Sequence, residues 1–234
     1  MTLSLNQTLA SAGYYACQSY PHTIRQSVSN LFNDSDHLAL WLTGGLALSL
    51  ASIVDQPIAH RIERQPLFSP RVSAIGDLYG QPWGYWMGLG LIWIEGRLNG
   101  KTIQRQLDET LLLIESLALT GLATEGLKRL TGRPRPNGAG HDAFPSGHTS
   151  GSFALAAVMN ELYGSEAGTV AYGMAAFVAA TRINDRKHHL SDVVAGAVLG
   201  IWVGRSCGRT YQTHFLRPVI ELGEFLTLTW SVPL

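Results

Sequence analysis

The longest break in the polar pattern runs from His37 to Val54 (HLALWLTGGLALSLASIV), an uncharged stretch bracketed by Asp36 and Asp55. It predicts an apolar helix. A second apolar run, Trp83 to Ile94, stops at Glu95, and residues 55–82 between the two are rich in Pro, Arg and Gly. That middle segment reads as a connection with short helical pieces. A third helix is expected over about Gln104 to Arg129, where Asp108, Glu109, Glu115 and Glu125 interrupt the leucines. After a loop at 131–147, helices follow near 148–163, 168–182 and 190–205, parted by Gly164 to Gly168 and by the polar loop Asn184 to Lys187. Strand alternation and internal repeats are not evident. The pattern predicts an all-α bundle of about six helices. It is preceded by an N-terminal arm (1–36) with one or two short helices; the domain covers 37–210, and a tail covers 211–234.

Spanning a hydrocarbon core of ~30 Å takes about 20 mostly apolar residues. Only the 37–54 stretch approaches that length without charge. The last three helices have shorter apolar stretches, nearer to buried core helices. Glu115 must face the bundle interior if its helix lies in lipid. The pattern is compatible with an integral membrane protein and with a soluble one.

Composition narrows the partners. Charged residues are 15 % of the 234, against roughly 25 % in soluble domains. Gly, Ser, Thr and Ala take up the difference, which suits closely packed helices. Seventeen basic and seventeen acidic residues cancel, so no bulk field points to nucleic acid. Cys17 and Cys207 are the only cysteines, with no CxxC or Cys/His cluster to hold a metal. They read as two separate buried thiols. The first basic residue is Arg25, so the N-terminus lacks the pattern of an ordinary signal peptide.

Three short stretches carry the chemistry. In KRLTGRPRP (128–136), Arg135 offers a planar fork for two phosphate oxygens and Lys128 a compact charge, with Pro134 and Pro136 stiffening the backbone. Arg133 competes for the same role. The alternative is a basic cap at a helix C-terminus. In PSGH (145–148), Gly147 lets backbone N–H groups approach an anion at a helix N-terminus, Ser146 adds a hydroxyl donor, and His148 stands ready to donate a proton. The alternative is an ordinary Pro-Ser turn. In TRINDRKHHLSD (181–192), Arg182 adds a third cation. There His188 and Asp192, four apart, can share a helical face so that the carboxylate sets the imidazole tautomer. His189 points elsewhere and reads as structural, and Asp185, Arg186 and Lys187 read as a solvated loop that could touch a head group.

The pattern K-x6-RP, PSGH and R-x5-H-x3-D resembles the type 2 phosphatidic acid phosphatase (PAP2) superfamily, which also includes vanadium haloperoxidases and bacterial acid phosphatases. Lys128, Arg135, Pro136, Pro145, Ser146, Gly147, His148, Arg182, His188 and Asp192 match in order over a core of about 110–205. Thr181 stands where the family usually has Ser, which keeps the hydroxyl. The resemblance implies a phosphatase that uses no metal and no cofactor. Lys128, Arg135, Ser146, Gly147 and Arg182 would bind phosphate. His188, oriented by Asp192, would form a phosphohistidine, and His148 would serve as acid and then base. It implies a lipid phosphate or pyrophosphate substrate, membrane association and a site facing the periplasm. A soluble periplasmic acid phosphatase of broad specificity and a vanadate-dependent haloperoxidase are the other readings it leaves open.

Overall fold

A computed structural model describes residues 24–32, 37–215, 219–222 and 226–229. Among the described residues seven helices follow one another: α1 (24–32), α2 (His37–Arg64), α3 (Pro70–Tyr79), α4 (Pro82–Leu98), α5 (Ile103–Thr131), α6 (Gly147–Asn184) and α7 (Leu190–Phe215). With the two arms of α6 counted separately, the six expected bundle helices are present, and α1 and α3 are the short helical pieces expected in the arm and in the 55–82 connection; Pro70 starts α3 as Pro82 starts α4. α7 runs past the expected domain end at 210. In the tail, where no strand was predicted, β1 (Val219–Leu222) and β2 (Leu226–Thr229) pair antiparallel, Ile220 opposite Leu228. Cys17 lies outside the described residues, and Cys207 is a buried free thiol.

One departure from the sequence pattern and one expected break shape the site. α2 does not stop at Asp55 but continues through Pro57 to Arg64, because Asp55 is buried and paired with Arg133 at 2.8 Å. A charge that marks a helix end in the sequence is thus neutralised from far along the chain. α6 is two arms folded at Gly164, whose φ of 81° and ψ of −176° only glycine adopts readily. The arms run antiparallel: the Phe153 and Tyr172 rings lie 6.0 Å apart, and Gly168 packs against the Asn160 side chain. The helices expected at 148–163 and 168–182 are therefore both present, and the fold-back returns Arg182 to the end where His148 begins.

The core is built by α5, α6 and α7 around Leu112, Leu113, Leu155, Val158, Leu199 and Val203. Each such side chain contributes about 2 kcal/mol of burial. α7 approaches α6 closely at Gly200, where a Cβ would come within 2.2 Å of the Ser150 carbonyl oxygen. Glu115 is buried, facing inward as its position in α5 required.

Outside, α2 exposes Leu38, Leu42, Leu46, Leu50 and Ile53, and α4 exposes Trp83, Trp86, Leu91, Ile94 and Leu98. Three helical segments, His37–Arg64, Ile103–Thr131 and Leu190–Thr213, are long and apolar enough to cross a membrane, where only the first was anticipated. At the end of the bundle away from the PSGH motif, Lys101 bonds both Glu95 and Glu109. Arg105 and the Tyr163 hydroxyl also donate to Glu109, at 3.2 Å each.

Candidate active site

The three motif stretches converge on one end of the bundle. Lys128 comes from the end of α5, His148 from the start of α6, Arg182 from the end of its second arm, and His188 from the loop before α7. Backbone bonds stitch these pieces together: Ala143 N–H to the Arg133 carbonyl at 3.0 Å, Ser146 N–H to the Asp192 carbonyl at 3.0 Å, and Asn137 N–H to the Arg186 carbonyl at 3.0 Å. Gly147 faces Lys128, since a Cβ there would lie 4.0 Å from Lys128 Cε.

Lys128, Arg135 and Arg182 all reach this end, and each meets a carboxylate. Arg135 donates to both oxygens of Asp142 at 2.7 Å, and Lys128 Nζ lies 3.3 Å from the same group. The Arg135 bond, with the two positive charges, holds the Asp142 carboxyl down at about 2 despite some burial. Arg182 is fully buried, and its guanidinium donates to Asp77 and, at 3.2 Å, to Asp185. Lys187 Nζ also reaches Asp77, at 3.2 Å. A carboxylate satisfies a guanidinium fork in the geometry that a phosphate would use.

Two neutral imidazoles stand among these charges. His188 is buried, and its Nδ1–H donates to the Ala143 carbonyl at 2.7 Å, which leaves the Nε2 lone pair free. Burial pushes its pKa down to about 3, and the nearby Arg135 and Lys128 act in the same direction. His148 is pushed down to about 4, first by burial and then by Arg182, with Asp77 opposing.

Asp192 does not orient His188. α7 begins at Leu190, so His188 precedes the helix and the expected four-residue helical pairing is not formed. The Asp192 carboxylate instead accepts from the His189 N–H at 2.7 Å and from Arg133 Nη1 at 2.7 Å. Arg133, a competitor for phosphate in the sequence, is committed to Asp55, Asp192 and the Ser191 hydroxyl. The orienting acceptor for His188 is a backbone carbonyl. Ser146 is fully buried, with its Oγ accepting from the Thr149 hydroxyl at 3.0 Å.

Sequence reading missed Asp55, Asp77 and Asp142 and gave Lys187 to solvent. Asp142 stands three positions before Pro145 and could have been noticed as an acid next to a motif. Asp55 and Asp77 carry no local signal, because their partners lie far away in the chain.

Beside this site an apolar groove of about 1000 Å³ runs between α4 and the two arms of α6, lined by Tyr79, Met87, Leu91, Leu155, Met159 and Ala171 among others. The α3–α4 turn joins groove and site: a Cβ at Gly80 would come within 2.8 Å of the His148 ring.

Residues 109–216 match the family profile of the PAP2 superfamily. The chain is 38 % identical over 91 residues to the lipid A 1-phosphatase of Porphyromonas gingivalis, covering 38 % of this chain and 20 % of that one. It is 30 % identical over 153 residues to lipid phosphate phosphatase 1 of Arabidopsis thaliana, covering 47 % and 46 %. The chain thus spans less than half the length of these curated relatives. Its fold is similar to the transmembrane PAP2-type phosphatidylglycerolphosphate phosphatase of Bacillus subtilis, with a TM-score of 0.56 at 17 % identity over 71 % of this chain and 90 % of that one. Residues 109–216, which match the PAP2 superfamily, are the part of the helical bundle that brings the ten motif residues to one end.

Proposed function

We propose that this protein is a membrane phosphatase that removes phosphate from a lipid through a phosphohistidine, without a metal. The observation that carries the reading is the juxtaposition of a cationic cradle with an apolar groove at the Gly80–His148 contact. A phosphate head and an apolar tail can occupy the two together. The exposed leucines and tryptophans of α2 and α4 support residence in a bilayer rather than in water. The names of the relatives, lipid phosphatases all, support the same substrate class.

In this mechanism Lys128, Arg135 and Arg182 grip the phosphoryl oxygens, helped by the Gly147 N–H and the Ser146 hydroxyl, and spread the transition-state charge. His188 Nε2 attacks phosphorus while its Nδ1–H stays bonded to Ala143. The bond from phosphorus to the ester oxygen breaks, and a proton from His148 goes to that oxygen. Water then attacks phosphorus and gives its proton to His148, the phosphorus–nitrogen bond breaks, and phosphate leaves. Asp192 serves by holding Arg133 and the start of α7 in place, in contrast to the tautomer-setting role the motif implies. For location, the reading puts the site on the periplasmic face of a cell-envelope membrane.

Phosphate release in EDTA, from a long-chain lipid phosphate and a water-soluble monoester side by side, tests this directly. Preference for the lipid, blocked by vanadate, is the expected result. Equal use of the soluble ester overturns the lipid assignment. Labelling of an Ala139→Cys variant by a membrane-impermeant thiol reagent on intact cells tests the orientation, and protection overturns it.

A further inference from the structure

Asp77 belongs to α3, outside the residues that match the family, and no motif includes it. Its Oδ1 lies 3.3 Å from Nε2 of His148. That nitrogen is buried and has no aligned hydrogen-bond partner among the described residues. The carboxylate is also held from behind: Gln81 donates to Oδ2 at 2.9 Å. α3 itself is docked on the site, with Asn184 bonding the Ser73 hydroxyl at 2.9 Å and the Phe68 N–H at 2.9 Å. Gly76 packs against Thr181 and Gly80 against His148.

We propose that Asp77 is the positioning residue for the acid–base histidine, accepting the His148 Nε2–H and so turning Nδ1 towards the reacting ester oxygen. The inference rests on the phosphatase reading above. A neutral imidazole carries one proton, and the acceptor bound to one nitrogen decides which nitrogen faces the substrate. Acid catalysis also needs the protonated ring, and the charges facing His148 oppose it. Arg182 from the second arm of α6, Lys187 from the following loop and Lys128 from α5 are all cations, and Asp77 is the carboxylate that offsets them. The neighbouring His188 ring is neutral. The contact is loose in the resting site and tightens when His148 takes up its proton. Asp77 thus does for His148 what Asp192 was expected to do for His188.

The test compares Asp77→Asn and Asp77→Glu with the unaltered protein on two esters, an alkyl phosphate whose leaving oxygen needs a proton and 4-nitrophenyl phosphate whose leaving group does not. Asp77→Asn is expected to slow the alkyl ester at least about tenfold more than the nitrophenyl ester, to move the basic limb of the rate profile to lower pH, and to keep vanadate inhibition. Asp77→Glu should recover most of the alkyl ester rate. Equal loss on both esters together with weaker vanadate inhibition overturns the proposal, because Asp77 would then only anchor Arg182. Nitrogen-15 NMR of histidine-labelled, unaltered protein gives a second answer that needs neither variant nor turnover. An Nε2–H tautomer at His148 supports the dyad, and an Nδ1–H tautomer sinks it. Failure of the unaltered protein to release phosphate from either ester counts against the phosphatase reading and leaves the tautomer result standing.

Discussion

The two ends of the bundle hold similar charges for opposite purposes. At the far end Glu109 is 1 % exposed and receives Lys101, Arg105 and the Tyr163 hydroxyl. Every partner there is supplied by the protein, and the network ties α4, α5 and α6 together. At the other end the buried member is a cation, Arg182, while the carboxylates that meet the cations there are reachable: Asp77, on Arg182, is 29 % exposed, and Asp142, on Arg135 and Lys128, is 47 % exposed. A closed network resists exchange of its partners. An open one, with fixed cations and an anion as accessible as Asp142, admits another oxyanion in its place. Burial of the sign that stays, and exposure of the sign that can be replaced, separates a site from a staple.

Substitutions at either end sharpen this contrast. The largest effect is expected from His188→Ala, which should lower phosphate release about a thousandfold or more while the melting temperature barely moves. Full activity in that variant removes the covalent mechanism. At the far end, Lys101→Met should do the reverse. It takes one of two cations from the buried Glu109 carboxylate, leaving Arg105 and Tyr163, and costs about 2 kcal/mol of stability, read by chemical denaturation, with activity per folded molecule preserved. Asp142→Asn should tighten vanadate inhibition several-fold by freeing Arg135 and Lys128. Weaker inhibition would mean that Asp142 aligns the cations instead of occupying them. Asp142 also sets a pH dependence. Its carboxyl is held at about 2, below the ordinary 3.8, so the stability from its ion pairs is complete above about 4 and is lost as pH falls through 2. The exposed Glu125–Arg129 pair on α5 marks the floor of the series, its loss changing stability by less than about 1 kcal/mol.

The cradle was legible because its members sit within short, stiff stretches where spacing alone constrains them. Lys128, Arg135, His148, Arg182 and His188 all meet at one end of the bundle. The helices at 148–163, 168–182 and 190–205 were legible from glycine and polar interruptions. What spacing misjudged was decided by tertiary partners. Asp192 lost its expected bond to His188 because the helix starts two residues too late, and Arg133 was drawn to Asp55 from another helix. The same pairing let α2 run on through a charge and a proline that locally argue for a stop. Asp77 sits in a stretch read as a connection, and nothing nearby in the chain hints that its cationic partners, Arg182 and Lys187, are more than a hundred residues away.

The fold-back at Gly164 has a consequence for tolerance to insertion and deletion. Both ends of α6 lie at the active end, so the glycine turn is the one part of that element remote from the chemistry. A residue added at the turn leaves His148 and Arg182 where they are. A residue added within either arm rotates everything between it and the site by about 100° and swings one of them out of register. Length variation in this region of the chain should therefore collect around position 164, while the arms keep their residue count.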